Sequence, residues 1–325
     1  MLRYTLKRIL IAIPTLLVIS IAVFWAAREI ASPAGQLSLN PRISAEDRVR
    51  FREQLGLDKS GFEQYTDWLG GFLQFDLGES LISRRDVWDI IQPALANTLV
   101  LVVFAAGWSL LIGITIGTIS AVRRGSFFDN AATGFAFFGF SVPTFWMALM
   151  VQLFFGLYLA NWLGVTPPLL PTAGVYPPGH QGFDPGLRLK YILLPSLVLA
   201  VQLVAVYSRY MRASMLEVLN SDYIRTARSK GVGETKVIVR HGVRTALIPV
   251  TTQFAVDIGA LVGGLIITEE IFQYPGMGHL FLQALFSGDY VLLLPAMMIV
   301  AWAVIIANLA ADLLYARLDP RIRYV

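Results

Sequence analysis

Residues able to do bond chemistry are scarce in this 325-residue chain. It has no cysteine, hence no thiolate nucleophile and no cysteine metal site. Its three histidines, His180, His241 and His279, stand apart, without metal-ligand spacing or a partnered nucleophile. A solvated or hydrogen-bonded histidine is the plain reading of each. The chain lacks any Gly-Lys dipeptide and therefore any Walker A phosphate loop. Gly-x-Ser-x-Gly and paired catalytic carboxylates are missing too. The pattern is that of a chain that is no enzyme, with no catalytic residue, metal or cofactor of its own. Polar groups that could act otherwise lie inside apolar runs. Asp257, with Gln253 one helical turn away, could form a polar wall of a translocation path. A hydrogen bond or ion pair at a helix interface would explain Asp257 as well. Asp312, near Arg317, reads as structural.

The densest cluster of polar function is Asp222-Tyr-Ile-Arg-Thr-Ala-Arg-Ser-Lys-Gly231, followed by Arg240-His-Gly-Val-Arg-Thr-Ala-Leu-Ile-Pro249. It is a basic insertion between two long apolar runs. Asn220 and Ser221 can cap a helix, Asp222 suits its first turn, and Gly231 can end it. A second helix is expected from about Glu234. Leu216, Leu219, Tyr223 and Ala227 recur at helical spacing, which predicts one apolar face while Arg225, Arg228 and Lys230 stay wet. Such a helix at the membrane face could be offered to another protein. Alternatively, a basic loop can do no more than fix topology.

Hydrophobic residues make up 56% of the chain and charged ones 15%, with mean hydropathy +0.62. Soluble domains carry about a quarter charged residues, so the composition is that of an integral membrane protein. The formal charge of +4 sits at the ends of apolar runs and is no nucleic-acid footprint. A spanning helix needs about 20 apolar residues. Candidates are 9–27, 95–122, 131–160, 191–211, 246–271 and 290–316, which makes six. Basic clusters at Arg3–Arg8, Arg123-Arg124, Arg209–Arg244 and Arg317–Arg323 all fall on one side of such a bundle, while Glu269–Asp289 has no Lys or Arg. Both termini are therefore expected in the cytoplasm. The first apolar stretch is longer than a signal-peptide core, so it reads as a retained span. Residues 41–92 carry short helices at Arg48–Gly56 and Gln64–Phe75 and a turn at Asp76–Ser80. Tyr65, Trp68 and Trp88 suit an interfacial belt, and 161–190 is a Pro/Gly-rich extended loop. Gly113-x3-Gly117 and Gly259-x3-Gly263 can bring helix backbones together, and Pro143 and Pro295 can kink their spans.

The basic loop resembles the segment of ABC-importer permeases that docks the ATP-hydrolysing subunits. The general pattern is Glu-Ala-Ala, three residues, Gly, nine residues, then Ile-x-Leu-Pro. Ala227, Gly231 and Ile248-Pro249 match it. Arg225 and Thr226 depart from it, and the spacing to Pro249 is five residues longer. Those departures are similar to the dipeptide/oligopeptide/nickel branch. So are Leu55–Asp58, Gln64-Tyr65, Trp68-Leu69, Asp76–Ser80, Arg209–Leu219, Gly263–Phe272, Pro275–Gly278 and Asp312–Tyr324. Lys59-Ser60-Gly61 departs from the Pro usual after Leu-Gly-Leu-Asp. The resemblance implies an all-α polytopic protein of the type I ABC-importer permease fold, with a sizeable external segment after helix 1. Its parts would be an N-terminal transmembrane helix (1–30), an external segment (31–92) and a five-helix core (93–325) containing a cytoplasmic docking loop (214–246). It further implies a multi-pass protein of the bacterial inner (plasma) membrane, working in a membrane complex as a first-type permease. Partners would be a second homologous permease, two ATP-binding subunits that hold ATP and Mg, and an extracytoplasmic solute-binding protein. Asp222, Tyr223, Arg225, Thr226, Ala227, Lys230, Gly231 and Arg240 would dock the ATPases. The substrate would be di- or oligopeptides, with nickel or another small solute as the alternative. An ion-coupled secondary transporter is the rival class, but the chain shows no repeated halves with paired broken helices.

Overall fold

The computed structural model describes residues 2–31, 56, 58–165 and 168–318, with the side chains of 2–5, 7, 30, 31, 258–264 and 311–318 left aside. The expected helix at Arg48–Gly56, the close approach at Gly259 and Gly263, and the Asp312 side chain lie outside the described residues. The described elements are helices. In chain order they are α1 (Leu2–Ala31), α2 (Gly61–Leu73) and α3 (Val87–Val122). Next come α4 (Phe127–Ser141), α5 (Thr144–Leu163) and α6 (Pro185–Leu219). The basic loop holds α7 (Asp222–Ser229), α8 (Glu234–Lys236) and a wide π-turn segment, Val237–Val243. Then follow α9 (Arg244–Ile271), α10 (Met277–Ser287) and α11 (Tyr290–Leu318).

Among the described residues, five stretches are long and apolar enough to cross a membrane: Arg8–Glu29, α3, α5, α6 and Tyr290–Ala310. The expected span 131–160 is not one helix. Ser141 ends α4, Val142 and Pro143 are extended, and α5 begins at Thr144. Pro143 lacks an N–H and pushes its predecessor out of helical geometry, so it separates two helices instead of kinking one. Pro295, by contrast, lies inside α11. The Pro/Gly-rich loop ends earlier than expected. Asp184 Oδ1 accepts from the N–H groups of Gly186 and Leu187 at 2.8 and 3.0 Å, and Pro185 opens α6.

Packing divides the described residues into two compact units. One draws on Met1–Thr98 and Pro275–Leu309, the other on Leu99–Tyr274 and Ala310–Val325. In the first, α2 is fastened by a capping box, with the Ser60 N–H donating to Glu63 Oε2 at 2.9 Å and the Glu63 N–H donating to Ser60 Oγ. The Ser60 that departs from the usual Pro thus supplies the helix start. Tyr65, expected at an interfacial belt, is buried instead. Its hydroxyl lies 2.8 Å from Ser20 Oγ, and its ring joins Phe24, Trp68, Phe72 and Trp302 in an aromatic cluster. Tyr65, Trp68 and Phe72 of α2 face protein and serve as core, while Phe62 stays exposed. Trp88 does remain exposed. The expected turn at Asp76–Ser80 is present, with Gly78 at φ 81°. Asp289 caps α11 through the Leu292 N–H and also accepts from Ser80 Oγ and the Leu81 N–H, joining that turn to the helix.

In the second unit, α6 is the central helix, packed against α4 and α9. Its contact with α3 runs along small residues. A Cβ placed on Gly113 would lie 2.9 Å from Tyr207 Cβ, and one on Gly117 would lie 2.6 Å from both Met211 Cβ and Ser208 O. The expected close backbone approach therefore occurs, and Gly117 permits it. Where α3, α4 and α6 meet, Arg212 grips Asp129 with two hydrogen bonds, Nε to Oδ1 at 2.6 Å and Nη2 to Oδ2 at 2.7 Å. Ser120 Oγ and the Gly125 N–H complete the carboxylate's shell.

Two outcomes follow from these contacts. Gly117→Val should lower thermal stability in detergent by about 1–3 kcal/mol through overpacking. Gly107→Ala, whose new Cβ meets nothing within 4 Å, should not. Arg212→Leu should cost about 3–5 kcal/mol, because it strands a buried carboxylate. The double variant Arg212→Leu/Asp129→Leu should recover part of that loss in the same melting assay.

Candidate functional site

The basic loop leaves the bundle at the end of α6, where Asn220 (φ −92°, ψ 0°) stops the helix. Ser221 holds the N-cap position of α7 but does not cap it. Its hydroxyl donates back to Val218 O at 2.6 Å, and Asn220 Nδ2 donates to Leu216 O at 2.8 Å. The expected side-chain cap is therefore absent, because both groups finish the preceding helix. Asp222 does occupy the first turn, pairing with Arg225 Nη2 at 2.5 Å. At the other end Gly231 adopts φ 76°. Its N–H donates to Arg228 O at 2.9 Å, and the Val232 N–H donates to Ala227 O at 3.3 Å. Together these bonds form a Schellman motif, which satisfies the last carbonyls and needs a left-handed residue at that position.

The loop is then doubled back on itself. Arg228 donates to both carboxylate oxygens of Glu234, at 3.1 and 2.7 Å, tying the end of α7 to the start of α8. The Arg228 hydrogen bonds hold the Glu234 carboxyl below its ordinary range. The pair thus persists at neutral pH and is lost only as pH falls through that lowered value. Beyond α8 the helix widens into the π-turn segment, and Gly242 there lets the backbone pass the Met215 side chain, 3.2 Å from where a Cβ would sit.

The buried face of α7 differs from the expected one. Ile224 is fully buried, Ala227 is partly buried, and Tyr223 is 44% exposed. Expecting Tyr223 inward carries the helical spacing of Leu216 and Leu219 across the cap at Asn220-Ser221. The break at Asn220 shifts the phase, so the next residue turns inward. Ile224 joins Met211, Met215, Val218, Val237, Ala246 and Val250 in one apolar cluster. Asp222, Tyr223, Arg225, Thr226, Lys230, Gly231 and Arg240 all lie on the exposed side. Seven of the eight sequence-derived positions are thus accessible on a helix-and-turn body anchored from below, with Ala227 as its partly covered edge.

Gln253 and Asp257 are brought together on α9, with Nε2 donating to Oδ1 at 2.9 Å. The fully buried Tyr207 of α6 faces the same carboxylate. Neither the Tyr207 hydroxyl nor Asp257 Oδ2 reaches hydrogen-bond geometry, so a polar pair stays incompletely satisfied inside an apolar region. Sequence reasoning missed Tyr207, and it missed the Asp129–Arg212 pair. Arg212 falls in Arg209–Leu219, a string that carries the family resemblance and no sign of its partner. Among the described residues no group of three or more His, Cys, Asp or Glu could hold a metal ion.

Comparison with known proteins agrees with this architecture. The family model described as "Binding-protein-dependent transport system inner membrane component" matches residues 113–324, and its N-terminal companion matches 1–102. The oligopeptide transport system permease protein AppB of Bacillus subtilis (strain 168) is 39% identical over 322 residues, 99% of each chain. The dipeptide transport system permease protein DppB of Alkalihalophilus pseudofirmus is 36% identical over the whole of both chains. The glutathione transport system permease protein GsiC of Escherichia coli O6:H1 is also 36% identical over the whole of both. Among solved structures, a chain of the inward-facing MetNI methionine ABC transporter superposes with TM-score 0.53 at 15% identity, covering 71% of this chain and 96% of that one. At that identity the likeness is one of fold alone. Sequence, helical architecture and full-length relatives agree, and this chain belongs to the family of binding-protein-dependent transport-system inner-membrane components, as a multi-pass permease subunit of an ABC importer.

Proposed function

We propose that this chain is the first-type permease of an ATP-driven importer of di- or oligopeptides. It would form the translocation path together with a second homologous permease. Two ATP-binding subunits would supply ATP and Mg, and an extracytoplasmic solute-binding protein would deliver the substrate. Relatives named for oligopeptide, dipeptide and glutathione transport support peptides over nickel as the cargo. The alternative of an ion-coupled carrier leaves the closed body of α7 and α8 without a purpose.

One observation supports the reading most directly. The helix Asp222–Ser229 is closed by a Schellman motif, tied to α8 by Arg228–Glu234, and rooted in the bundle by Ile224. A segment so fixed transmits a push, whereas a loose loop would dissipate it. Asp222, Tyr223, Arg225, Thr226, Ala227, Lys230, Gly231 and Arg240 would form the ATPase-facing surface, within a docking loop at 214–246 of a core spanning 93–325. With this loop cytoplasmic, both termini are cytoplasmic as well, α9 supplies the sixth span, and residues 31–92 lie outside. Closure of the ATPase dimer on ATP would then rock the helices, and hydrolysis would reset them.

Gly231 gives the test. A Cβ there meets nothing within 4 Å, so a substitution acts through backbone strain alone, about 1–2 kcal/mol. Gly231→Val should weaken recovery of the ATPase subunits in a pull-down and abolish transport, while the chain still reaches the membrane fraction. Gly231→Asn, which tolerates the left-handed region, should retain most of both. Wild-type recovery and transport in Gly231→Val would reduce the loop to a topology signal.

For the path, Asp257→Asn should lower peptide uptake severalfold while leaving assembly of the complex intact, read by transport assay beside co-purification. Unchanged uptake would remove Asp257 from the path, and lost assembly would make it a packing residue.

A further inference from the structure

We infer that the surface where α3, α4 and α6 meet binds the phosphate ester of an anionic phospholipid, with Arg209 as its counter-charge. The cleft there is open on one side, has a volume of about 10 Å³, room for no more than a water, and is lined by Gly117, Ser120, Thr133, Ser208, Arg209 and Arg212. The donors in it are already assigned, with one exception. Ser120 Oγ donates to Asp129, Thr133 Oγ1 to Asp129 O, and Ser208 Oγ to Ala205 O. Arg212 is neutralised by its two bonds to Asp129. Arg209 differs: its Nε donates to Ala205 O at 3.1 Å, and among the described residues no carboxylate pairs with it. It is therefore an uncompensated guanidinium whose two terminal nitrogens remain to be used. Five N–H donors in a planar fork suit a phosphate group.

The guanidinium is also held in place. Its carbon lies 5.7 Å from the ring centroid of Phe137 and 5.4 Å from that of Phe140, both on α4. Those two rings are each 58% exposed and continue into a face with Phe135 and Phe138. A free anion has no use for exposed aromatic rings beside its counter-charge, whereas an acyl chain does. Depth agrees as well. Arg209 lies three residues before Arg212 on α6, about 4.5 Å farther than the ion pair from the end of that helix at Leu219. That is the level at which a long basic side chain meets headgroup phosphates. Arg123 and Arg124, exposed on the adjoining turn, add positive field toward the same leaflet. The depth argument rests on the cytoplasmic placement of the end of α6 proposed above. A reporter fusion at residue 230 reads that placement by itself, and lipid retention in detergent does not depend on it.

The test uses the assembled importer purified in mild detergent, examined by native mass spectrometry during titration with phosphatidylglycerol or phosphatidylcholine. The wild type should retain phosphatidylglycerol in preference to phosphatidylcholine. Arg209→Gln should bind phosphatidylglycerol roughly tenfold more weakly, the scale of losing a charge-assisted hydrogen-bond pair. Arg209→Lys keeps the charge without the fork and should fall between. Phe137→Leu/Phe140→Leu should weaken retention while leaving the charge untouched. All variants must appear in the membrane fraction at wild-type level for the comparison to count. Equal retention by wild type and Arg209→Gln would overturn the inference, as would equal binding of the neutral lipid. Displacement of the lipid by millimolar inorganic phosphate would reassign the site to a free anion, and displacement by a transported peptide would reassign it to the translocation path.

Discussion

Asp129 is held from three directions, and the working end of the second unit depends on it. Ser120 reaches it from α3, the Gly125 N–H from the intervening turn, and the Arg212 fork from α6. A carboxylate with 3% side-chain exposure is stable as an anion only if such partners are all in place. Their presence therefore sets the relative position of three helices at one point. The point matters because α6 does not stop there. It runs on to Leu219 and hands the chain to the exposed helix Asp222–Ser229 after a two-residue break. Any force applied to that helix meets a bundle already pinned a few turns away.

What lets those helices approach is the absence of side chains. Within lipid, helix association gains little from hydrophobic transfer and depends on close packing and hydrogen bonds. Gly113 and Gly117 leave room for Tyr207, Ser208 and Met211, so α3 and α6 touch nearly backbone to backbone. Such a contact has almost no slack. A small rotation of α6 must be passed on to α3 or must break the seam, since packed interiors resist continuous deformation.

The sequence disclosed much of this and missed the rest for identifiable reasons. The start of α7 at Asp222, its stop at Gly231 and the onset of α8 at Glu234 are local events set by turn chemistry, and they stand where the pattern places them. Gly113 and Gly117 were readable as a close approach because four-residue spacing puts both on one face. The buried face of α7 was not readable, because the break at Asn220 changes the phase by an amount that depends on loop geometry. Tyr65 looked like a membrane-belt residue, since an amphipathic aromatic helix has the same pattern whether it faces lipid or protein. Asp129 and Arg212 lie 83 positions apart, and nothing in either neighbourhood marks them as partners. The widened turn at Val237–Val243 has no signature beyond Gly242, which stands where the Met215 side chain packs against the backbone.

The same geometry links the exposed loop to the polar interior. Ile224 roots α7 in a cluster that includes Met215 and Met211 of α6, Val237 of the π-turn segment, Ala246 and Val250 of α9, and Tyr207. Tyr207 in turn faces Asp257, which Gln253 steadies from one turn away. A displacement of α7 therefore cannot be absorbed between itself and Tyr207 without opening a void, which costs about 24 cal/mol per Å³ of cavity. It must be taken up where the backbone can change register cheaply. The π-turn segment between α8 and α9 is such a place, because a wide turn can pass to an adjacent residue by exchanging hydrogen-bond partners without unfolding the helix. The incompletely satisfied oxygen of Asp257 then lies at the far end of a packed column whose near end is exposed. Movement of the loop would then alter the packing around that carboxyl, whose surroundings are apolar and whose polar partners are few.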